Sequence, residues 1–125
     1  MAGIPDGRVK VRAFVPSKDY AVSKRFYERL GFEKLFDGQI ALFRIGDCEV
    51  LIQDFYEKQH AENYMMQLLV DYVDAWWKYI ESLELTKEFD VQPPRPPAMQ
   101  PWGLRVSYLF DPSGVLWHVA QWDKK

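Results

Sequence analysis

Residues 15–33, VPSKDYAVSKRFYERLGFE, decide the fold. Pro16 and Ser17 interrupt the segment before them, and Asp19 has the side chain of a helix N-cap. Val22, Phe26 and Leu30 recur every fourth residue and line one stripe of a helix over about 20–30. Gly31 then stands where a helix-ending glycine is expected. Upstream, VKVRAFV at 9–15 alternates, with Val9, Val11 and Ala13 on one face and Lys10, Arg12 and Phe14 on the other. Period two predicts a half-buried strand. Downstream, FEKLF (32–36), IALFRI (40–45) and CEVLIQDF (48–55) read as three strands. Asp37-Gly38 and Gly46-Asp47 separate them as hairpin turns. The first half is thus strand, helix and a three-strand meander.

The second half opens the same way. After the polar stretch YEKQHAEN (56–63), read as a linker, MMQLLV at 65–70 predicts a strand. Asp71 is a candidate cap for a helix over about 72–83, with Val73, Trp76, Trp77, Ile80 and Leu83 near one face. TKEFDV at 86–91 reads as a further strand. PPRPPAMQP at 93–101 is expected to be a rim loop, because proline supplies no ladder donor to a central strand. LRVSYLF (104–110), the turn Asp111-Pro112-Ser113-Gly114 and VLWHVAQW (115–122) make a closing hairpin. Asp19-Tyr20 and Asp71-Tyr72 occupy equivalent points of the two halves. Two tandem βαβββ modules, about 8–56 and 64–123 within one 1–125 domain, describe this economically. A ferredoxin-like α+β sandwich shares the βαβ opening but leaves the last hairpin unplaced.

Composition narrows the function classes. With 48% hydrophobic and 27% charged residues, the 125-residue chain can bury a core. Its net charge of −2 comes without a basic stripe, which argues against nucleic acid as a partner. No run of about 20 apolar residues predicts a membrane span. The N-terminal residues have no signal-peptide layout. The single cysteine, Cys48, suits a reducing compartment. Cytoplasmic location is therefore the expectation.

The stretch from Val15 to Glu33, and FYERLGF at 26–32 above all, resembles the first-module signature of the glyoxalase, bleomycin-resistance and dioxygenase superfamily, the vicinal-oxygen-chelate proteins. PWGLRVSYLFDPSGVLWHVAQ at 101–121 resembles the matching signature of the second module. The resemblance implies an α+β fold of curved mixed sheets, helices outside, with ligands on a concave face. Its nearest look is to bleomycin-resistance proteins, which implies a homodimer whose cavities are built from both chains.

Enzymes of that superfamily hold a divalent metal with ligands on four strands. Their pattern falls here on Arg12, Gln53, Met65 and His118. A guanidinium carries only donors, and a thioether is a poor ligand for hard cations. No metal and no cofactor are therefore expected. What remains is a small-molecule binding protein that sequesters an aromatic or cationic compound. Strand parity puts Arg12, Gln53, Gln67 and His118 on the face away from the apolar one, as a ligand-lining sheet requires. Phe14, Phe43, Phe55 and Trp102 are the expected stacking groups. Glu49 shares the parity of Gln53, and would either pair with Arg12 or attract a cationic ligand. The alternatives are a lyase or dioxygenase-like enzyme with a degenerate metal site, and a module that buries a protein partner. No serine-hydrolase elbow or phosphate loop is present in the sequence.

Overall fold

The computed structural model describes residues 3–122. Each half folds as strand, helix, then three strands. The first sheet contains β1 (Ala13–Pro16), β2 (Glu33–Asp37), β3 (Ile40–Ile45) and β4 (Cys48–Gln53), in the order β1-β4-β3-β2. The second contains β5 (Met65–Val70), β6 (Arg95–Met99), β7 (Arg105–Phe110) and β8 (Leu116–Gln121), in the order β5-β8-β7-β6. In both, the first strand pairs in parallel with the last and the other pairings are antiparallel. This is the tandem α+β arrangement expected from the two signatures. Helix α1 (Tyr20–Leu30) and the short α2 (Lys58–Glu62) belong to the first half and the connection. α3 (Val73–Leu83) and α4 (Leu85–Glu88) belong to the second. Among the described residues no helix is long and apolar enough to cross a membrane.

The ends of α1 are set as the sequence suggests. Asp19 Oδ1 accepts from the Val22 N–H at 3.2 Å, and Gly31 takes φ 116°. A side chain at Gly31 would also meet Tyr79 Oη at 2.8 Å, so glycine is required there twice over. Asp71, by contrast, does not cap α3. The Val73 N–H instead donates to Gln121 Oε1 at 3.1 Å, a bond from the far end of β8.

Three expected elements differ. The strand expected at 9–15 begins only at Ala13, leaving Val9 81% and Val11 88% exposed. Ala13 pairs with Val50, and β4 starts at Cys48, so earlier residues run past the end of their partner. TKEFDV is not a strand. Glu84 turns left-handed at φ 50°, and one helical turn then places Leu85 and Phe89, four apart, in the core. The proline-rich segment is not a loop but the edge strand β6, with its register shifted between Arg95 and Ala98. Pro96 and Pro97 lack the donor for a second neighbour, so an edge is the place they tolerate.

The helix-side faces of both sheets share one core. It gathers Val15, Phe43, Val50 and Ile52 from the first sheet and Leu109, Trp117 and Val119 from the second. Tyr27 of α1 lies between them, with ring contacts to Phe26, Phe32 and Trp117. Its hydroxyl donates to Asp111 Oδ2 at 2.6 Å and accepts from Trp117 Nε1 at 2.9 Å. Asp111 Oδ1 accepts from the Ser113 and Val115 N–H groups at 2.8 and 2.9 Å. Burial nonetheless pushes the Asp111 carboxyl up to about 6.

Tyr27→Phe would strand the Trp117 donor and one Asp111 oxygen in the core. The expected cost is about 1–3 kcal/mol or more in urea denaturation. The raised Asp111 value sets a direction with pH. The folded state holds the proton up to about pH 6, whereas an unfolded aspartate releases it near 3.8. Asp111 therefore favours folding most at low pH, and the advantage is lost as pH rises through 6. The unfolding free energy of the wild type minus that of Asp111→Asn should grow as pH falls from 7 to about 4.5. A difference that is flat with pH would refute the buried titration.

Candidate functional site

Because the shared core takes one face of each sheet, the other face of each stays open. Register places the open-face side chains in rows that cross the strands. On the second sheet, Arg95, Tyr108, His118 and Gln67 are successive cross-strand neighbours on β6, β7, β8 and β5. With strands about 4.8 Å apart, this polar stripe spans roughly 14 Å. Apolar rows flank it. On one side lie Ala98, Val106, Ala120 and Leu69, of which Val106 and Ala120 are fully buried, and on the other Phe110, Leu116 and Met65.

Trp102 joins this face from the β6–β7 turn. The turn is closed by bonds from Gln100 N–H to Leu104 O and from Gly103 N–H to Gln100 O. Gly103 has φ 97°, a conformation that favours glycine. The Trp102 ring lies 6.3 Å from His118, inclined at 34°. Tyr108 meets the same imidazole edge-on at 4.9 Å, and its hydroxyl donates to Gln100 Oε1 at 3.2 Å. Partial burial lowers the His118 pKa from its usual value, which favours the neutral ring. A neutral imidazole offers a ligand one donor and one acceptor.

On the first sheet the rows are ordered differently. Glu33, Arg44 and Glu49 are cross-strand neighbours, and Arg12 extends the row to the strand edge. Arg44 pairs with Glu33 at 2.7 Å. Glu49 binds Lys10 Nζ at 2.6 Å and lies 2.8 Å from Arg12 Nε. The Lys10 ammonium, ahead of Arg12, holds the Glu49 carboxyl below its usual pKa. Next comes an apolar row of Phe14, Leu51, Leu42 and Phe36, then Pro16, Gln53 and Ile40.

The expected site residues therefore separate into groups. Gln67, His118 and Trp102 come together on the second sheet. Arg12, Phe14, Glu49 and Gln53 lie on the open face of the first. Of the two roles expected for Glu49, the ion pair with Arg12 is the one that forms. Phe55 follows β4 and is 56% exposed, with its carbonyl accepting from the Ser17 N–H. Phe43 needs correction. It pairs with Val50 on the helix side, is fully buried and packs against Tyr27, so it faces no ligand. Alternation already put Phe43 and Arg44 on opposite faces, and the Arg44 side was the open one. Sequence reasoning missed Tyr108, whose alternation with Ser107 and Leu109 carried the signal, and Arg95, hidden among prolines.

Residues 11–119 match the family model of the Glyoxalase/Bleomycin resistance protein/Dioxygenase superfamily. The chain belongs to this superfamily. Among solved structures, a bleomycin-binding protein complexed with bleomycin is 24% identical with a TM-score of 0.79, covering 93% of this chain and 100% of that one. A bleomycin resistance determinant encoded on the transposon Tn5 is 23% identical with a TM-score of 0.78, covering 94% and 100%. A lactoylglutathione lyase from Agrobacterium tumefaciens is 20% identical with a TM-score of 0.67, covering 93% and 95%. These likenesses are of fold. No curated protein matches the chain.

The superfamily's metal-ligand positions meet a poor donor set on the open faces. Arg12 carries only donors and is paired with Glu49, Met65 is a soft thioether, and Gln53 and His118 are the two donors that remain. Among the described residues no three His, Cys, Asp or Glu side chains gather as a metal-holding group. This donor set does not fit a resident divalent ion.

The environment of His118 has a direct readout. Its imidazole should titrate below 6.5 when followed by NMR. Trp102→Ala uncovers the ring and should move that value upward, toward 6.5. An unchanged titration would mean that Trp102 does not cover His118.

Proposed function

We propose that this superfamily member binds an aromatic small molecule on its open faces, without a resident metal, in a cleft completed by a second copy of the chain. The observation that carries this reading is the polar stripe from Arg95 to Gln67, set between two apolar rows and bordered by the Trp102 ring. A planar ligand gains contact area from Leu69, Phe110, Leu116 and Met65, the accessible members of those rows, and orientation from the stripe. Stacking against such a ring contributes about 0.5–1.5 kcal/mol beyond area burial.

Two features support closure by a second copy. Phe14 (49%) and Phe36 (62%) end a row that runs through Leu51 and Leu42, a contiguous apolar strip of the kind that marks an interface. A small ligand is also usually buried over most of its surface, which a single sheet face does not achieve. The structural relatives complexed with bleomycin make bleomycin a sensible first compound to test. Cys48, exposed and unpaired, suits action in the cytoplasm.

Light scattering should find two chains per particle. Tryptophan fluorescence titrated with bleomycin and a panel of planar aromatics should show saturable quenching by at least one compound. Trp102→Ala should weaken that compound about tenfold, the loss of roughly 1.4 kcal/mol. No quenching and no thermal shift across the panel would sink the reading. So would stoichiometric Mn, Fe, Ni or Zn in the purified protein, bound through Gln53 and His118, because that result favours a metal-dependent lyase.

A further inference from the structure

The open face of the second sheet carries one cation and no carboxylate. Its rows contain Arg95 and otherwise only apolar, aromatic, amide and imidazole side chains. We propose that the ligand is an aromatic oxyanion, with a carboxylate-like group held by Arg95 and a planar body lying along Tyr108 and His118 beside Trp102. This rests on the aromatic-binding reading above and names the ligand's charge.

Arg95 is held in place by its backbone. Pro94 precedes it and Pro96 and Pro97 follow, so the flanking φ angles are preset. Its carbonyl accepts from the hydroxyl of buried Ser107 at 2.7 Å, and its residue partner across the sheet is Tyr108. The guanidinium sits 5.7 Å from the centre of the Phe110 ring. Among the described residues it makes no ion pair. Glu62 and Asp90 line a cavity with Phe110 but do not pair with Arg95. A guanidinium presents its N–H donors as a planar fork, which matches the two oxygens of a carboxylate.

The opposite choice, a cationic ligand, needs an uncommitted carboxylate on an open face. Within the rows the first sheet has Glu33 and Glu49, and both are taken, by Arg44 and by Lys10 with Arg12; Glu62 and Asp90 lie off the rows, in the cavity that Phe110 shares with Lys18. The chain as a whole is at −2, yet its open faces hold Lys10, Arg12, Arg44 and Arg95 against only those two acids. The excess positive charge is local to the faces where a ligand would lie, and it raises the local concentration of anions there.

The test uses three matched probes that share one ring system: 2-naphthoate, 2-naphthamide and 2-naphthylmethylammonium. Binding is followed by tryptophan fluorescence with the full chain at pH 7.5, at low and at moderate salt. The naphthoate should bind at least tenfold more tightly than the ammonium, and the gap should narrow as salt rises. Arg95→Gln should lower naphthoate affinity more than naphthamide affinity, bringing their ratio close to one, and Arg95→Lys should restore part of that ratio. Equal or tighter binding of the ammonium, or a preference that survives Arg95→Gln, overturns the proposal while the aromatic site stands. Failure of all three probes, with the wider panel also silent, overturns both readings.

Discussion

The hydroxyl of Tyr27, which comes from the first module, is bonded on both sides to the second. It takes a proton donor from Trp117 and gives its own to Asp111. A buried hydroxyl with both roles filled leaves nothing to hydrate, so the contact between modules carries no unsatisfied polar atom at its centre. Around it the Phe26, Phe32 and Trp117 rings meet Tyr27 edge-on. The junction therefore fixes both the distance and the rotation of one module against the other. Tyr79 and Arg29 repeat the pattern at the periphery, each donating to a backbone carbonyl of the other module.

This junction decides where a ligand can go. Both modules spend their helix-side faces on the common core, so neither open face is covered by the chain's own helices. Equal topology then gives two faces of the same build but different chemistry. On the first sheet the charges form a closed row at one end, and Phe14, Leu51, Leu42 and Phe36 form the middle. On the second sheet the polar row is in the middle and the apolar rows flank it. A repeated fold has thus been given one face suited to apolar contact and one suited to orienting a polar group.

The fold was legible because its signals are local. Phe26-Tyr27 and Leu30-Gly31 carry a helix stripe and its stop within a few residues, and the hairpin turns declare themselves by glycine and aspartate. The misreadings arose where local pattern and tertiary context diverge. Val9 and Val11 alternate well, but β4 has already ended where they would pair. Leu85 and Phe89 have the spacing of one helical turn, and Leu85 lies outside the 86–91 segment that reads as a strand. Arg95 to Met99 looked unfit for a strand because of its prolines, yet only a central strand forbids them. The site was less legible than the fold. Parity found Gln67 and His118, but which residues stand side by side is a matter of register between strands far apart in sequence. Tyr108 and Arg95 enter the stripe only through that register.

The same register shows why the Lys10 and Arg12 contacts to Glu49 bear on ligand choice although they lie on the other sheet. Glu49 is largely buried, with a side chain only 9% exposed. A carboxylate in that position without a cation would be costly, and it would also attract a cationic ligand. The segment before β1 supplies two cations instead, although its valines gain nothing from lying there. Had residues 10–12 carried no positive charge, Glu49 would have been the natural anchor for a cation, as the parity of β4 alone suggested. Its neutralisation from the N-terminal side leaves Arg95 as the uncommitted charge on the open faces among the described residues, and it is this balance that turns the site from cations toward anions.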